Sequence, residues 1–167
     1  MATTEKNLSA VNKTTAADIS ENHFGIVVSE WNDQITESMY EAAVQTIVSM
    51  GGTRKHIHRL NVPGSFELTL GAQKLAALRH IDAVVCIGCV IQGETKHFDF
   101  ICNAVANGIT QVGLTHDKPV VFGVLTTNNM QQAVDRSGGK YGNKGDEAGA
   151  TAVKMLVEFS AVTEQRK

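Results

Sequence analysis

Long apolar runs are missing from the chain. No stretch of its 167 residues reaches the ~18 consecutive apolar residues that a membrane helix needs. An excess of one charge is missing too. Lys and Arg number 15 against 17 Asp and Glu, a net charge of −2, and no basic stripe of the kind a general nucleic-acid binder carries is present. The opening segment MATTEKNLSAVNKTTAADIS lacks the apolar stretch of a secretory signal, so a cytoplasmic location is expected. Cysteine is scarce and odd in number. Cys86, Cys89 and Cys102 do not read as a disulfide framework. Cys86 and Cys89 do form a C-x-x-C, which suggests a redox pair or half a zinc site. They lie, however, inside DAVVCIGCVI, a continuous apolar run with the character of a buried strand, where residues three apart point to opposite faces. No second C-x-x-C or paired histidine follows at metal-site spacing. Both are therefore expected to be small core residues, and no metal is expected.

The remaining composition is that of one soluble globular domain with one core: 43% apolar, 19% charged, and a length inside the usual single-domain range. Residues 1–22 carry few large apolar groups and are expected to form a polar tail, disordered when alone. Residues 23–160 form the domain, and 161–167 a short C-terminal tail.

Strands and helices alternate through the domain. Phe24–Ser29 (FGIVVS) is a short β-branched run with polar flanks, a buried strand. Asn32 and Asp33 offer N-caps to an amphipathic helix with Ile35, Met39, Ala43, Ile47 and Met50 on one side, closed by Gly51-Gly52. His56–Val62 alternates and is more polar, as an edge strand is. A helix then begins near Ser65, with Leu68, Ala72, Leu75 and Leu78 inward. Asp82–Ile91 is the most apolar strand and belongs in the middle of the sheet. After the polar turn 92–96 a third helix carries Phe98, Ile101, Val105, Ile109 and Val112. Pro119–Leu125 is a fourth strand. A short helix over Asn129–Ser137 ends at Gly138-Gly139, and a last one from Lys144 to Phe159 turns Ala148, Ala152, Met155, Leu156 and Phe159 inward. This order predicts parallel pairing through crossovers: a three-layer α/β/α sandwich on a four-stranded parallel sheet, flavodoxin-like.

Ligands of such sheets bind beyond the carboxyl ends of the strands, where the loops converge. The loops there hold the only Trp together with Phe66, Glu67, Thr95 and His97. Trp31, alone, reads as a packing residue; at a strand end in a chain with 5% aromatics it also suits a stacking platform for a planar ligand. Glu67 lies in a helix's first turn, where the dipole favours a carboxylate with or without a ligand. In GETKHFD a glycine allows a close turn, Thr95 supplies a hydroxyl, and a helix starting near His97 turns free N–H groups outward. That is a phosphate seat built from backbone, with His97 beside it as an imidazole that titrates near neutrality. The stretch DRSGGKYGNKGDEAG fits no register of the P-loop pattern and follows a helix, not a strand. It offers either a phosphate clamp through Arg136 or Lys144, or a close-packed turn at a subunit contact.

Together these segments resemble the lumazine synthase family: Trp31-Asn32, VPGSFEL (62–68), GCVIQGETKHFDFICN (88–103), VVFGVLTTNN (120–129) and DRSGG…GNKG (135–145), in the family's order and spacing over about residues 24–160. The resemblance implies condensation of 5-amino-6-(D-ribitylamino)uracil with 3,4-dihydroxy-2-butanone 4-phosphate, the penultimate step of riboflavin biosynthesis, with no cofactor. It implies that Trp31 stacks on the pyrimidine, where many members have Phe. Ser65, Phe66 and Glu67 would bind the ribityl chain and its surroundings, and Cys89, Val90 and Ile91 would line the pyrimidine pocket. Glu94 and Thr95 would hold the phosphate and His97 would move protons. Phe122 and Arg136 would come from the neighbouring subunit, with Asn32 and Lys144 in support. Two positions depart from the pattern: Glu94 replaces a common small residue, so only its backbone suits a phosphate, and Cys89 replaces a common Thr. The resemblance also implies a pentamer with sites between subunits and a polar tail paired to a neighbour's sheet edge. The short turn GGKYGNKG resembles members that build an icosahedral 60-mer, and riboflavin synthase is a further expected partner. A flavodoxin-like flavin-binding module, the related riboflavin synthase, and a scaffold without turnover are the alternatives.

Overall fold

A computed structural model describes residues 7, 9, 10, 12, 13 and 18–164. Most of the expected tail at 1–22, and residues 165–167, lie outside the described residues. Four strands form one sheet: β1 (Phe24–Ser29), β2 (Ile57–Val62), β3 (Ala83–Ile91) and β4 (Val120–Thr127), all parallel, in the order β2-β1-β3-β4. The apolar run at 82–91 sits in the interior and the polar 56–62 run at an edge, as their patterns predict. Side chains alternate across β1 and β3. Phe24, Ile26, Val28, Val85, Ile87 and Cys89 face one helical layer, while Val27, Val84 and Cys86 face the other. The two C-x-x-C thiols therefore point to opposite faces. Burial pushes Cys86 up to about 12 and Cys89 up to about 11, which keeps both as inert thiols. Each fully buried aliphatic side chain, such as Ile87, contributes roughly 1.5–3 kcal/mol to folding.

The first layer consists of α1 (Asp33–Ser49) and α5 (Lys144–Glu164), the second of α2 (Leu68–Ala76) and α3 (His97–His116). All five expected core residues of α1 are buried. The helices α1 and α5 approach to backbone contact: a Cβ on Gly145 would stand 2.0 Å from the Met39 carbonyl oxygen, and one on Gly149 2.6 Å from that of Ala43. Only glycine fits at either place.

Several expectations are corrected. A 3-10 turn at Ser65–Glu67 precedes α2, which stops at Ala76, so Leu78 falls outside its periodicity and is exposed. Met155 and Phe159 are also exposed. Met155 faces a groove along the outer edge of β4, and Phe159 lies beyond the buried Leu156. The short helix α4 (Met130–Val134) ends three residues early. Beyond it, β5 (Ser137–Gly139) and β6 (Gly142–Asn143) make an antiparallel hairpin that the glycine-rich composition hid. Gly138 and Gly142 take φ of 114° and 85°, a region closed to most side chains, and so permit the turn. Ile19, inside the expected tail, is 2% exposed and packs in the α1/α5 core. Nearer the start, Ser9 Oγ accepts from the Asn143 amide and Lys13 pairs with Asp146. No helix among the described residues is long and apolar enough to cross a membrane.

Candidate active site

The strand order reverses at β1. Helix α1 leaves it on one face, while α2, after β2, crosses back on the other to reach β3. The loops above β1 and β3 therefore diverge and leave a crevice, the place where such sheets bind ligands. Its depth comes from unequal strand lengths. Val28 is the last β1 residue paired with β3, opposite Ile87, yet β3 runs on to Ile91 alongside β4. The overrun makes a wall beside the end of β1, carrying the half-buried Val90 and Ile91.

Trp31 stands at that step with its side chain 74% exposed, which removes the packing reading for the isolated subunit. Its backbone is fixed from both sides. Glu30 and Trp31 amides donate to the Val62 and Pro63 carbonyls, at 2.9 and 3.1 Å, extending the pairing to β2. Asn32 does not cap α1 with its side chain, as its position suggests. It takes the left-handed conformation (φ 61°, ψ 45°) and turns its amide across the crevice, where Nδ2 donates to the Cys89 carbonyl at 3.0 Å. A tertiary bond to β3 wins over a local cap.

Ser65, Phe66 and Glu67 follow β2. Ser65 is buried against Gly88, where a Cβ would come within 2.8 Å of its hydroxyl. Phe66 is exposed, and Glu67 Oε2 accepts from the Gly64 amide at 3.0 Å, which holds the turn in shape and leaves the other carboxylate oxygen for a ligand. After β3 the loop is tied at its root by the Gln92 amide to the Thr127 carbonyl, 2.8 Å. Glu94, Thr95 and His97 are all exposed. Helix α3 begins at His97, and Thr95 Oγ1 lies 3.3 Å from the His97 amide. A Cβ on Gly93 would meet nothing within 4 Å, so this chain's own fold does not require a glycine there. The free space lies beside the helix start, where orphan N–H groups favour an anion.

Cys89 is the exception among the residues expected at the crevice. Its side chain is 3% exposed and belongs to the α1/α5 core, so only its backbone faces the loop. Phe122 and Lys144 lie elsewhere, along the outer edge of β4, where they line a groove of about 360 Å³ with Val120, Glu147 and Met155. Lys144 is paired there with Glu147 at 2.7 Å. Arg136 follows α4, half-buried. Its Nη1 donates to the Gln132 carbonyl at 3.1 Å and its guanidinium stacks over Tyr141, 4.9 Å from the ring centroid. The hairpin beside it is pinned by Asn143, which sequence reasoning missed: its Nδ2 donates to the Ser38 carbonyl at 3.2 Å and its Oδ1 accepts from the Gly145 amide at 2.8 Å. The turn itself is Lys140-Tyr141, between two glycines, and Asn143 lies in the second strand, so no turn dipeptide pointed to it. Trp31 and Asn32 thus follow the carboxyl end of β1, Ser65, Phe66 and Glu67 that of β2, and Glu94, Thr95 and His97 that of β3, beyond Val90 and Ile91. Phe66 and Glu67 also line a groove of about 640 Å³ between α2 and α3 with Thr69, Leu70 and Gln73, while Phe122 and Lys144 lie along β4 and the Lys144 amide donates to the Arg136 carbonyl at 2.8 Å.

The profile of the 6,7-dimethyl-8-ribityllumazine synthase family matches residues 21–159. The chain belongs to this family. It is 58% identical to the 6,7-dimethyl-8-ribityllumazine synthase of Cytophaga hutchinsonii, over 95% of this chain and 99% of that protein. It is 54% identical to the protein of the same name from Flavobacterium johnsoniae, covering 93% and 82%, and 52% identical to that of Parabacteroides distasonis, covering 96% and 100%. Within this family fold, the Asn32 clamp makes a direct prediction. Asn32→Ala loses the bond to Cys89 and must also hold a left-handed backbone, costing roughly 2–3 kcal/mol in denaturant unfolding. Asn32→Gly loses only the bond and costs about 1 kcal/mol. Equal losses would contradict the strained-clamp reading.

Proposed function

We propose that this chain condenses 5-amino-6-(D-ribitylamino)uracil with 3,4-dihydroxy-2-butanone 4-phosphate to 6,7-dimethyl-8-ribityllumazine, inorganic phosphate and water, the penultimate step of riboflavin biosynthesis. The observation that carries this reading is an exposed indole after β1 and an exposed imidazole at the start of α3 after the neighbouring β3, in a chain of this family. The pyrimidine stacks on Trp31 between the walls formed by Val90 and Ile91, and Cys89 contributes backbone alone. Ser65, Phe66 and Glu67 receive the ribityl chain, with the free oxygen of Glu67 accepting from its hydroxyls. The phosphate sits over Gly93 at the start of α3, held by the backbone at Glu94 and by the Thr95 hydroxyl.

The reaction is redox-neutral. The pyrimidine 5-amino group attacks the ketone and water leaves, giving an imine. Proton removal then expels phosphate to give an enol, which tautomerises to a ketone. The ribityl-bearing nitrogen attacks that carbonyl, and loss of a second water closes the ring. His97 accepts and returns the protons. Holding the two reactants in register supplies the larger share, up to ~7–11 kcal/mol, with acid–base help adding ~10²–10⁴-fold.

The site is completed between adjacent subunits of a pentamer. In one chain Phe122 and Lys144 line a groove apart from the crevice, a layout that suits use by a neighbour. The neighbouring subunit's Phe122 closes the pocket and its Arg136 pairs with the phosphate, supported by Lys144. A second groove of about 640 Å³ between α2 and α3, which starts at Phe66 and Glu67 and runs on past the exposed Leu70, supplies apolar surface for subunit packing. Twelve pentamers form a cytoplasmic icosahedral shell, the amino-terminal segment adds to a neighbour's open sheet edge, and riboflavin synthase, which consumes the product, is the protein partner.

Mixing both substrates and following the lumazine chromophore tests the activity. His97→Ala retains measurable turnover, with kcat lower by roughly 10²–10⁴-fold; a folded variant with none would contradict the role given to orientation. Arg136→Ala raises KM for the keto-phosphate and leaves that for the pyrimidine unchanged; an unaltered keto-phosphate KM removes the clamp. Sedimentation gives a single species of sixty subunits, and a profile of pentamers alone removes the shell.

A further inference from the structure

Four of the six histidines gather at the end of the sheet opposite the crevice. His23 precedes β1, His56 and His58 lie at the start of β2, and His80 precedes β3. The His23 and His56 rings stack, with centroids 4.2 Å apart at 21°. Towards His58 the His23 ring is 11° from parallel with centroids 5.1 Å apart, and His23 Nδ1 lies 2.8 Å from His58 Nε2. So short a contact at that centroid separation requires the two nitrogens to point at each other. This is the geometry of an N–H···N hydrogen bond, with one proton between two rings. His80 closes the group edge-on, 5.6 Å from His23 and 5.3 Å from His58.

The cluster ties three segments together. His56 Nδ1 donates to the Ser20 carbonyl at 2.9 Å, which also accepts from Thr53 Oγ1 at 2.8 Å. The His23 amide donates to Asp82 Oδ2 at 2.8 Å. The chain between the buried Ile19 and β1 is thus fastened to β2 and to the turn before β3.

We propose that this cluster is a proton-operated latch, holding residues 18–23 against the amino end of the sheet at neutral pH and releasing them in acid. Between two neutral rings one N–H already makes the His23–His58 bond. One added proton turns one ring into a cation and keeps the bond; a second removes the acceptor and sets two cations in contact, with His56 and His80 packed around them. Asp82 Oδ2 accepts from the His23 backbone amide, a bond that leaves its charge in place but makes no ion pair with a ring; Asp18 accepts from the Ser20 amide, and Arg54 pairs with Glu41. Glu21, Lys55 and Arg79 share these segments, and among the described residues no carboxylate makes an ion pair with any of the four rings. Burial, and then the charges of His23, His80 and His56, hold His58 below its ordinary value of 6.5. With the segment released, His58 therefore takes up a proton more readily than with it fastened. The stabilisation is complete above pH 6.5 and is lost as the pH falls from there through the depressed value. A proton, not a metal, is the ligand: among the described residues no three His, Cys, Asp or Glu side chains form a metal-holding group.

Hydrogen–deuterium exchange on the full-length assembled protein at pH 7.5 and 5.5, corrected for intrinsic exchange, tests the latch. Peptides over 18–24 and 54–58 should exchange roughly fivefold faster in acid relative to those in β3, with or without EDTA. His58→Gln, which cannot titrate, should remove the acid effect. His80→Gln, altered at an exposed ring, should reduce it in a chain that folds normally. No acid effect in the unaltered protein, a full effect in His80→Gln, a full effect in a folded His58→Gln, or abolition of the effect by EDTA would each overturn the proposal.

Discussion

The pairing of β1 with β3 governs the rest of the molecule. Both strands are apolar on both faces, so each needs a helical layer on either side, and their connections leave in opposite directions. At the carboxyl end this opens the crevice and leaves Trp31 uncovered. At the amino end it brings the starts of β1, β2 and β3 together, and with them four imidazoles. One hydrogen-bonded ladder therefore creates two polar environments separated by an apolar core. The upper one is open, with Trp31 and His97 exposed. The lower one is closed down to contacts between rings.

Much of this architecture was legible because strand and helix periodicities differ and the chain honours both. FGIVVS, DAVVCIGCVI and the 35–39–43–47–50 stripe announce their elements, and the polarity of 56–62 marks an edge. The opposite facing of Cys86 and Cys89 follows from the same period of two. What could not be read has equally physical causes. A hairpin of three and two residues has too few positions to show a period, so its glycines were read only as a loop. Asn32 carries a capping side chain, but a carbonyl on a neighbouring strand offered a better partner. Met155 faces the groove along the outer edge of β4, and Phe159 continues the stripe of α5 beyond the buried Leu156.

The crevice was legible for a different reason. Its residues follow strand ends, and strand ends are places that topology can fix before any side chain is positioned. Phe122 sits mid-strand on an outer edge, where one chain gives it nothing to act on. Arg136 and Lys144 likewise lie off the loops that follow β1, β2 and β3. At Gly93 the surroundings are empty, so no contact among the described residues asks for a glycine there.

Helices α1 and α5 meet backbone to backbone at Gly145 and Gly149, with no side-chain layer between them to rearrange. Helix α1 starts two residues after the indole, and α5 starts with the lysine of the β4 groove. The chain thus acts as a rigid spacer: the distance between the exposed indole and the groove along β4 is fixed by its own interior and not by any loop.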